Sequence, residues 1–308
     1  MSDSWDFVIV GGGVIGACIG TELLRRNSRF RVLLLEKEKG AGWHASGRNS
    51  GVLHSGFYYS SDSLKAKLTR DGNRALRAFA LRHELEIRET GKVVVAQSEK
   101  EIPLIEELYN RGQANGVDVS IVSQSELSKL EPMAHTHSVA LWSPTTAVAE
   151  PSVFMSAFIS EFVQLGGSVE FNSEFVSADK SGIRTSRGSF SAGHVVNAAG
   201  LYADKIAREF GFAMNHRILP FLGLYWYAPG LKGKVKRHIY PTPDPRNPFL
   251  GVHLTCSLDG SVKVGPTAIP VLSREQYSLF SGLRVAEVIE ILGTLPMLAT
   301  SRHHNFWS

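Results

Sequence analysis

Six residues near the start, Gly11-Gly12-Gly13-Val14-Ile15-Gly16, carry the first chemistry this sequence offers. Glycine at positions 11, 13 and 16 lets a backbone turn tightly, approach a pyrophosphate and pack a helix on a strand. The apolar run Phe7-Val8-Ile9-Val10 predicts a strand before it. The run through Leu23 and Leu24 to Arg26 predicts a helix after it, with free N-terminal amides facing phosphates. A second strand is expected over Arg31 to Leu35. Glu36 then stands about twenty residues past Gly16, where a carboxylate accepts from a ribose hydroxyl and disfavours a 2′-phosphate. A dinucleotide is the ligand this pattern predicts, and a glycine-rich turn in another α/β fold is the plain alternative.

The next stretch decides which dinucleotide. A nicotinamide enzyme would start a second strand–helix unit after Glu36, but Gly42 to Gly56 reads GWHASGRNSGVLHSG. Ala45, Ser46, Gly47, Arg48, Asn49, Ser50 and Gly51 are mostly small, so their backbone can lie within van der Waals reach of a flat ring and their amides can meet its polar edge. A flavin seat, and so FAD, is the reading; a solvated loop or a disordered insert would use similar residues. Arg48 fits a phosphate or the polar edge of a flavin, and equally a surface. His54 follows the glycines directly, and imidazole titrates near neutral pH, which makes it the first choice as general base. His253, on an expected strand, is the competing candidate. Either could instead be a packed histidine that hydrogen-bonds backbone. His44 and His303-His304 are expected to face solvent. Lys263, Tyr225 and Tyr59 are candidate substrate-binding residues if their strands turn them inward.

Those side chains need a globular frame, and the composition supplies one. The chain has 308 residues, 43% hydrophobic and 20% charged, enough for one large or two ordinary domains. A formal net charge of +4, with no basic run longer than Lys232 to His238, gives no support to nucleic-acid binding. Two cysteines, Cys18 and Cys256, lie far apart without ligand spacing, which favours a reducing compartment and no metal. The first apolar run begins at Phe7 and none reaches membrane-spanning length, so the cytoplasm is the expected location.

The elements follow from periodicity. Leu64, Leu68, Leu76 and Phe79 mark one face of an expected long helix, and Lys92 to Ala96 reads as a strand. Helices are expected from Ile102 towards Gly116, from Ser123 to Pro132, and from Pro151 with Phe154, Phe158 and Phe162 on one side. Short strands follow at Ser168 to Phe171, on both sides of Ser186-Arg187-Gly188, and at His194 to Asn197. From about Arg217 the chain is β-rich, with aromatic strands at Leu222 to Tyr227 and Phe249 to Thr255.

Several segments together resemble the D-amino-acid-oxidase-like group of FAD-dependent oxidoreductases, and within it the L-2-hydroxyglutarate oxidases and dehydrogenases. They are DFVIVGGGVIG (Asp6 to Gly16), LLEKE (Leu34 to Glu38), GRNSGVLHSGFYY (Gly47 to Tyr59), SLKAKL (Ser63 to Leu68), VNAAGLYADKIA (Val196 to Ala207), IYPTPDPRNPFLGVHLT (Ile239 to Thr255) and DGSVKVGPTA (Asp259 to Ala268). The resemblance implies an α/β fold: a Rossmann-type FAD-binding domain, expected over residues 1–85 and 141–211, with a second, mainly antiparallel β-sheet substrate domain over 86–140 and 212–308. It puts Lys37, Val176, Ala199 and Gly200 beside the cofactor with the residues named above. It implies that a hydride leaves C2 of a 2-hydroxy acid for flavin N5, with oxygen or a quinone as final acceptor. A quinone would bring the chain to a peripheral contact with the inner membrane.

The sequence also departs from the family pattern. Leu222 stands where an arginine is usual, Leu224 where an acid is usual, and no arginine accompanies Cys256 and Ser257. A dicarboxylate needs a cation per carboxylate, and arginine is the preferred bidentate partner. Arg217, Lys236 and Arg237 are the substitutes at hand. The family pattern also runs on well past Ser308 with a strand and turn that close the FAD site. Two further readings therefore stand beside the 2-hydroxy acid oxidoreductase: an amine or amino-acid oxidase with a changed pocket, and a truncated, non-catalytic paralogue.

Overall fold

A computed structural model describes residues 4–179, 182–244, 249, 251–278 and 281–300, with side chains to residue 294. The chain forms two compact units. The first comprises residues 1–49, 151–220 and 272–294, and the second is built chiefly from 50–150 and 221–271.

The first unit is organised by a six-stranded sheet in the order Phe175–Asp179, Gly182–Thr185, Gly188–Asn197, Ser4–Val10, Val32–Leu35, Ser168–Glu170. The last four of these run parallel. Val8, Ile9 and all of Val32–Leu35 are buried, as expected of central parallel strands covered on both faces. On one face Ile9 meets the helices Val14–Arg26 and Pro151–Gln164. Phe162 fits there only because a Cβ at Gly20 or Gly167 would lie 2.6 or 2.3 Å from its ring. On the other face Val8, Val10, Leu33, Leu35 and Ile183 pack with Ile206 of the helix Ala203–Glu209. Each such buried aliphatic side chain contributes roughly 1.5–3 kcal/mol.

The second unit is built on a seven-stranded sheet in the order Trp226–Tyr227, Val262–Gly265, His253–Cys256, His238–Pro241, Lys92–Val95, Val139–Ser143, Ser120–Ser123. Only the pairing of His238–Pro241 with Lys92–Val95 is parallel. Alternation along Lys92–Val95 sends Val93 and Val95 to one face, with Ile239, Leu127 and Cys256, and Val94 to the other, with Tyr240, Leu141 and Ile105. That second face also receives Lys92, His238 and His253, by the same register.

Two expectations differ from the structure. Residues 50–85 and 141–150, expected with the nucleotide-binding part, cluster with the second unit, and 212–220 and 272–294, expected with the substrate part, cluster with the first. The physical reason is local: Val52–Leu53 pairs with Ala147–Ala149, and Asn73 of the helix Leu64–Arg82 bonds the carbonyls of Leu53 and His54. Likewise Leu64 and Leu68 are 73% and 63% exposed, and Ala66, Asn73, Phe79 and Ala80 form the buried face instead. A polar residue in the buried register hid that face from an apolar count.

Candidate functional site

In the first unit the parallel strands end at a loop of glycines. Gly11 adopts φ +120°, and a Cβ there would meet the Ala198 carbonyl at 2.3 Å. A Cβ at Gly16 would lie 2.0 Å from the Gly11 carbonyl oxygen, and one at Gly13 would lie 2.9 Å from Ser46 Oγ. The helix Val14–Arg26 starts at Gly13, whose residue type offers no side-chain cap. Instead Ser46 Oγ, from a distant loop, accepts from the Val14 amide at 3.0 Å. Glu36 is buried at the end of its strand, one oxygen accepting from the Gly12 amide at 2.8 Å and the other from the Glu38 amide at 2.9 Å. Bare backbone, a helix N-terminus and a buried acid at the carboxyl ends of parallel strands are the fittings a dinucleotide pyrophosphate and ribose require. This cradle would be filled by any Cβ, so the residues fit FAD.

The loop that follows is tighter than a seat alone demands. Gly42 takes φ +69° against Met155, and a Cβ at Gly47 would lie 2.3 Å from the Gly42 carbonyl oxygen. Part of the small-residue content therefore closes the loop on itself. Arg48 is exposed, donates to the Trp43 carbonyl at 2.8 Å and lies over the Tyr277 ring. Asn49 donates to the carbonyls of Ala45 and Ser46. His44, expected at the surface, is instead partly buried, bonding Tyr277 Oη at 2.5 Å and Glu38 at 3.0 Å. Lys37 bridges Glu38 and Glu275. Burial works against its charge, but those bonds outweigh it and hold the ammonium above its ordinary value. Glu38, His44 and Glu275 place ligand-type atoms within 4.8 Å of one another, with the Lys37 ammonium bonded to both carboxylates. Val176 is half-exposed at a bulge in its strand, where Phe175 takes the core position. Ala199 donates to Asn197 Oδ1, and Gly200 turns with φ +53° into the helix that follows.

Sequence reasoning missed the strongest ionic feature of this unit. Arg274 is buried and holds Asp204 through both terminal nitrogens, at 2.5 and 2.9 Å, and Glu290 at 2.9 Å. Burial opposes the Asp204 carboxylate, yet the Arg274 bonds bring it down to about 2. No local motif marks such a pair, because its members are some seventy residues apart.

In the second unit one face of the sheet gathers titratable groups among aromatic rings. Lys92 is fully buried, and its Nζ lies 3.1 Å from His54 Nδ1. It stands over the rings of Tyr240, Tyr58 and Phe57, at 4.1, 5.0 and 5.6 Å from their centroids. Among the described residues no carboxylate pairs with it, and burial pushes the amine down to about 7. His54 is half-buried, and burial followed by the neighbouring Lys92 charge holds it well below the usual imidazole value. His253 donates Nδ1–H to the Gly251 carbonyl at 2.8 Å, which leaves Nε2 as an acceptor, and stacks on Tyr240 at 3.8 Å. Burial takes it down to about 4. His238 accepts the Cys256 amide at Nδ1 and so donates Nε2–H to Thr90 Oγ1 at 2.8 Å. Burial and Lys92 push it to about 3, and both its nitrogens are committed to structure.

The expected site residues divide accordingly. His54 and His253 both reach this face. Tyr225 joins them edge-on to His253 at 6.2 Å, and Lys263 shares the His253 side of its ladder, its Nζ 5.8 Å from the Tyr227 ring centroid. Tyr59 is exposed beside Lys65, whereas its neighbour Tyr58 faces Lys92 with a buried hydroxyl that has no partner among the described residues. Ser50 accepts from the Val52 amide, and Gly51, at φ +76°, accepts from the Ala149 amide. Leu222 is buried on a two-residue strand. Arg237 lies on the opposite face of the sheet over Trp142, and Arg217 is exposed and bonds the Met214 and His216 carbonyls. The turn after Cys256 does receive an arginine, but from elsewhere: Arg88 binds the Ser257 and Leu258 carbonyls. His303-His304 and part of the Ile239 to Thr255 segment lie outside the described residues. Among those described, no helix is long and apolar enough to cross a membrane.

Comparison with known proteins agrees with this geometry. The family profile described as FAD dependent oxidoreductase matches residues 6–293. The chain is 36% identical over 312 residues to the mitochondrial L-2-hydroxyglutarate dehydrogenase of Caenorhabditis elegans, covering 97% of this chain and 71% of that protein. It is 37% identical over 306 residues to the L-2-hydroxyglutarate dehydrogenase of Escherichia coli O17:K52:H18, covering 97% and 72%. Among solved structures it resembles the dithionite-reduced L-alpha-glycerophosphate oxidase of Mycoplasma pneumoniae with FAD bound, with TM-score 0.76, 24% identity and coverage of 95% and 78%. It also resembles the glycine oxidase of Geobacillus kaustophilus, with TM-score 0.74, 22% identity and coverage of 95% and 77%. At those identities the structural matches speak for the fold. With a glycine cradle built for a dinucleotide and a family match that spans nearly its whole length, the chain belongs to the FAD-dependent oxidoreductases.

Proposed function

We propose that this chain oxidises a 2-hydroxy acid, L-2-hydroxyglutarate, to the 2-oxo acid. The observation that carries the chemistry is the buried sheet face where His54, Lys92, His253 and Tyr240 meet with no carboxylate among the described residues bonded to any of the three basic side chains. The substrate's name rests on the two relatives above, each matched over 97% of this chain. FAD, when bound, supplies the two-electron acceptor for the hydride at C2.

The chain's own residues have definite tasks in this reading. Gly11, Gly13 and Gly16 clear the pyrophosphate cradle, with Ser46, Ala199 and Gly200 beside them and Glu36 offered to the ribose. His54 Nε2, which has no partner among the described residues, takes the hydroxyl proton. Lys263, on the His253 side of the sheet, and Tyr225 are the candidate partners for a substrate carboxylate. Because Leu222 is buried and apolar, the cation that the family pattern puts there must come from another position.

The test is an absorbance spectrum of the purified protein before and after anaerobic L-2-hydroxyglutarate. Flavin bands that bleach support the reading. Bands that persist with L-2-hydroxyglutarate but bleach with glycine, sarcosine or proline overturn the substrate and keep the flavoprotein. Reoxidation by oxygen or by a soluble quinone then identifies the acceptor. A quinone acceptor fits a cytoplasmic chain that touches the inner membrane peripherally.

A further inference from the structure

The sequence reads Lys92 as the first residue of an ordinary strand, yet the fold gives it a setting that a structural lysine does not need. Its neighbours in the parallel ladder are His238 and, two residues on, Tyr240, and across the antiparallel ladder it faces Ser143. From the loop above come His54, Phe57 and Tyr58, and from the next strand His253 stacks on Tyr240. Ser143 is taken up by Ser55 at 2.9 Å, and His238 by Thr90 and the Cys256 amide. His54 Nδ1 is therefore the one hydrogen-bond partner that Lys92 Nζ has among the described residues.

A bond between two nitrogens has two senses. If Lys92 is an ammonium it donates, His54 Nδ1 accepts, and the imidazole carries its proton on Nε2, where it cannot receive another from a substrate. If Lys92 is an amine its lone pair accepts from Nδ1–H, and Nε2 is left with the lone pair that a general base uses. Burial without a counter-ion favours the amine, while the three ring faces lend the ammonium some stability, so both states are reachable near neutral pH.

We propose that Lys92 is the positioning residue and proton store behind His54, setting the imidazole in its Nδ1–H form and accepting that proton as Nε2 takes one from the substrate hydroxyl. The proposal rests on the 2-hydroxy acid reading for its substrate. The balance is complete. The O–H bond of the substrate breaks and a new N–H bond forms at His54 Nε2. The Nδ1–H bond breaks and an N–H bond forms at Lys92 Nζ. FAD, when bound, would accept the C2 hydride as the C2–O bond becomes a carbonyl. Imidazole ends neutral and the amine ends as ammonium. His253 has no such relay behind it, because its Nδ1–H is fixed on the Gly251 carbonyl.

The first experiment uses the flavin-loaded protein labelled with 15N-histidine and needs no turnover. Long-range proton–nitrogen spectra report which ring nitrogen of His54 carries the proton, with His54→Gln supplying the assignment. The expected result is a change from Nε2–H at pH 6 to Nδ1–H at pH 8.5, absent in Lys92→Met, while His238 stays Nε2–H throughout. An Nε2–H form of His54 at every pH overturns the proposal, and the parent protein alone suffices to show it should Lys92→Met not fold. The second experiment is rapid-mixing reduction of the flavin by L-2-hydroxyglutarate. The parent rate should fall about tenfold for each pH unit below 7. Lys92→Met should lose that limb and run at least tenfold slower at pH 8 with unchanged flavin content and little change in KM. An unchanged pH limb in Lys92→Met overturns the relay. If no 2-hydroxy acid reduces the parent flavin, the substrate reading fails while the tautomer result still stands or falls by itself.

Discussion

Gly16 lies so close to Gly11 that a Cβ built on it would sit 2.0 Å from the Gly11 carbonyl oxygen. Backbone cannot yield by that much without moving the strand end, so Gly16→Ala should lose both FAD and thermal stability. Gly13 is a different case, because the atom 2.9 Å from its added Cβ is the Ser46 hydroxyl, which can rotate away. Gly13→Ala should keep a melting temperature within a few degrees of the parent yet bind FAD at least tenfold more weakly, since the new methyl occupies the pyrophosphate approach. Flavin fluorescence titration beside a melting curve separates the two. Equal losses in both variants would remove the distinction between a packing glycine and a ligand glycine.

The pair Arg274–Asp204 predicts a stability effect with no ligand involved. Both side chains are nearly excluded from solvent, at 1% and 5% exposure. Arg274→Met leaves the Asp204 and Glu290 carboxylates without their main partner, at a cost of about 3–5 kcal/mol in urea denaturation at pH 7. Arg208 also reaches both acids and limits the loss. The folded Asp204 value of about 2 lies below its ordinary 3.8, so its contribution is full above 3.8 and disappears as the pH falls towards 2. Asp204→Asn should therefore flatten the acid limb of the stability curve. A loss under 1 kcal/mol in Arg274→Met would show that the pair is not a structural requirement.

A second acid-sensitive element is the histidine face of the other unit. His238 is held at about 3 and His253 at about 4, both mainly by burial, against 6.5 in the unfolded chain. The unfolded state binds more protons than the folded one between those values, so stability falls as the pH drops below 6.5. The slope should approach 1.4 kcal/mol per pH unit for each histidine. His54 on the same face is lowered too, so His253→Gln should remove about a third of this dependence, measured as urea midpoints from pH 7 to pH 5. An undiminished slope in that variant would place the sensitivity elsewhere.

The glycine cradle and Glu36 were legible because their chemistry is local: turn, strand and helix each announce themselves within a few residues, and one acid follows at a fixed interval. The helix Pro151–Gln164 was legible for the same reason, its phenylalanines marking the buried stripe. Lys92 was not, since KVVV reads as an edge of a strand until the ladder shows that His238 and Tyr240 flank it from more than a hundred residues away. Tyr58 was not legible as the inward ring, because alternation in a loop gives no phase and only tertiary contact decides which ring turns inward. Leu64 and Leu68 misled for a related reason: amphipathic spacing identifies a helix, but a buried Asn73 bonding two carbonyls fixed which face went in.

Lys92 also makes a prediction about stability that is independent of any reaction. Its folded value of about 7 lies well below the ordinary 10.5, with burial as the cause. Between those two values the unfolded chain carries a proton that the folded chain does not, so the amine costs nothing near pH 10.5 and its penalty grows as the pH falls, at roughly 1.4 kcal/mol for each pH unit, until it levels off below about 7. Lys92→Met shortens the unbranched side chain by one heavy atom and removes the charge that must be shed. The variant should be more stable than the parent by several kcal/mol at pH 6.5 and close to it at pH 10, as read from urea midpoints at the two values. If Lys92→Met were no more stable than the parent at pH 6.5, the ammonium would have to be well accommodated in the fold, and His54 would face a permanent donor instead of a proton acceptor.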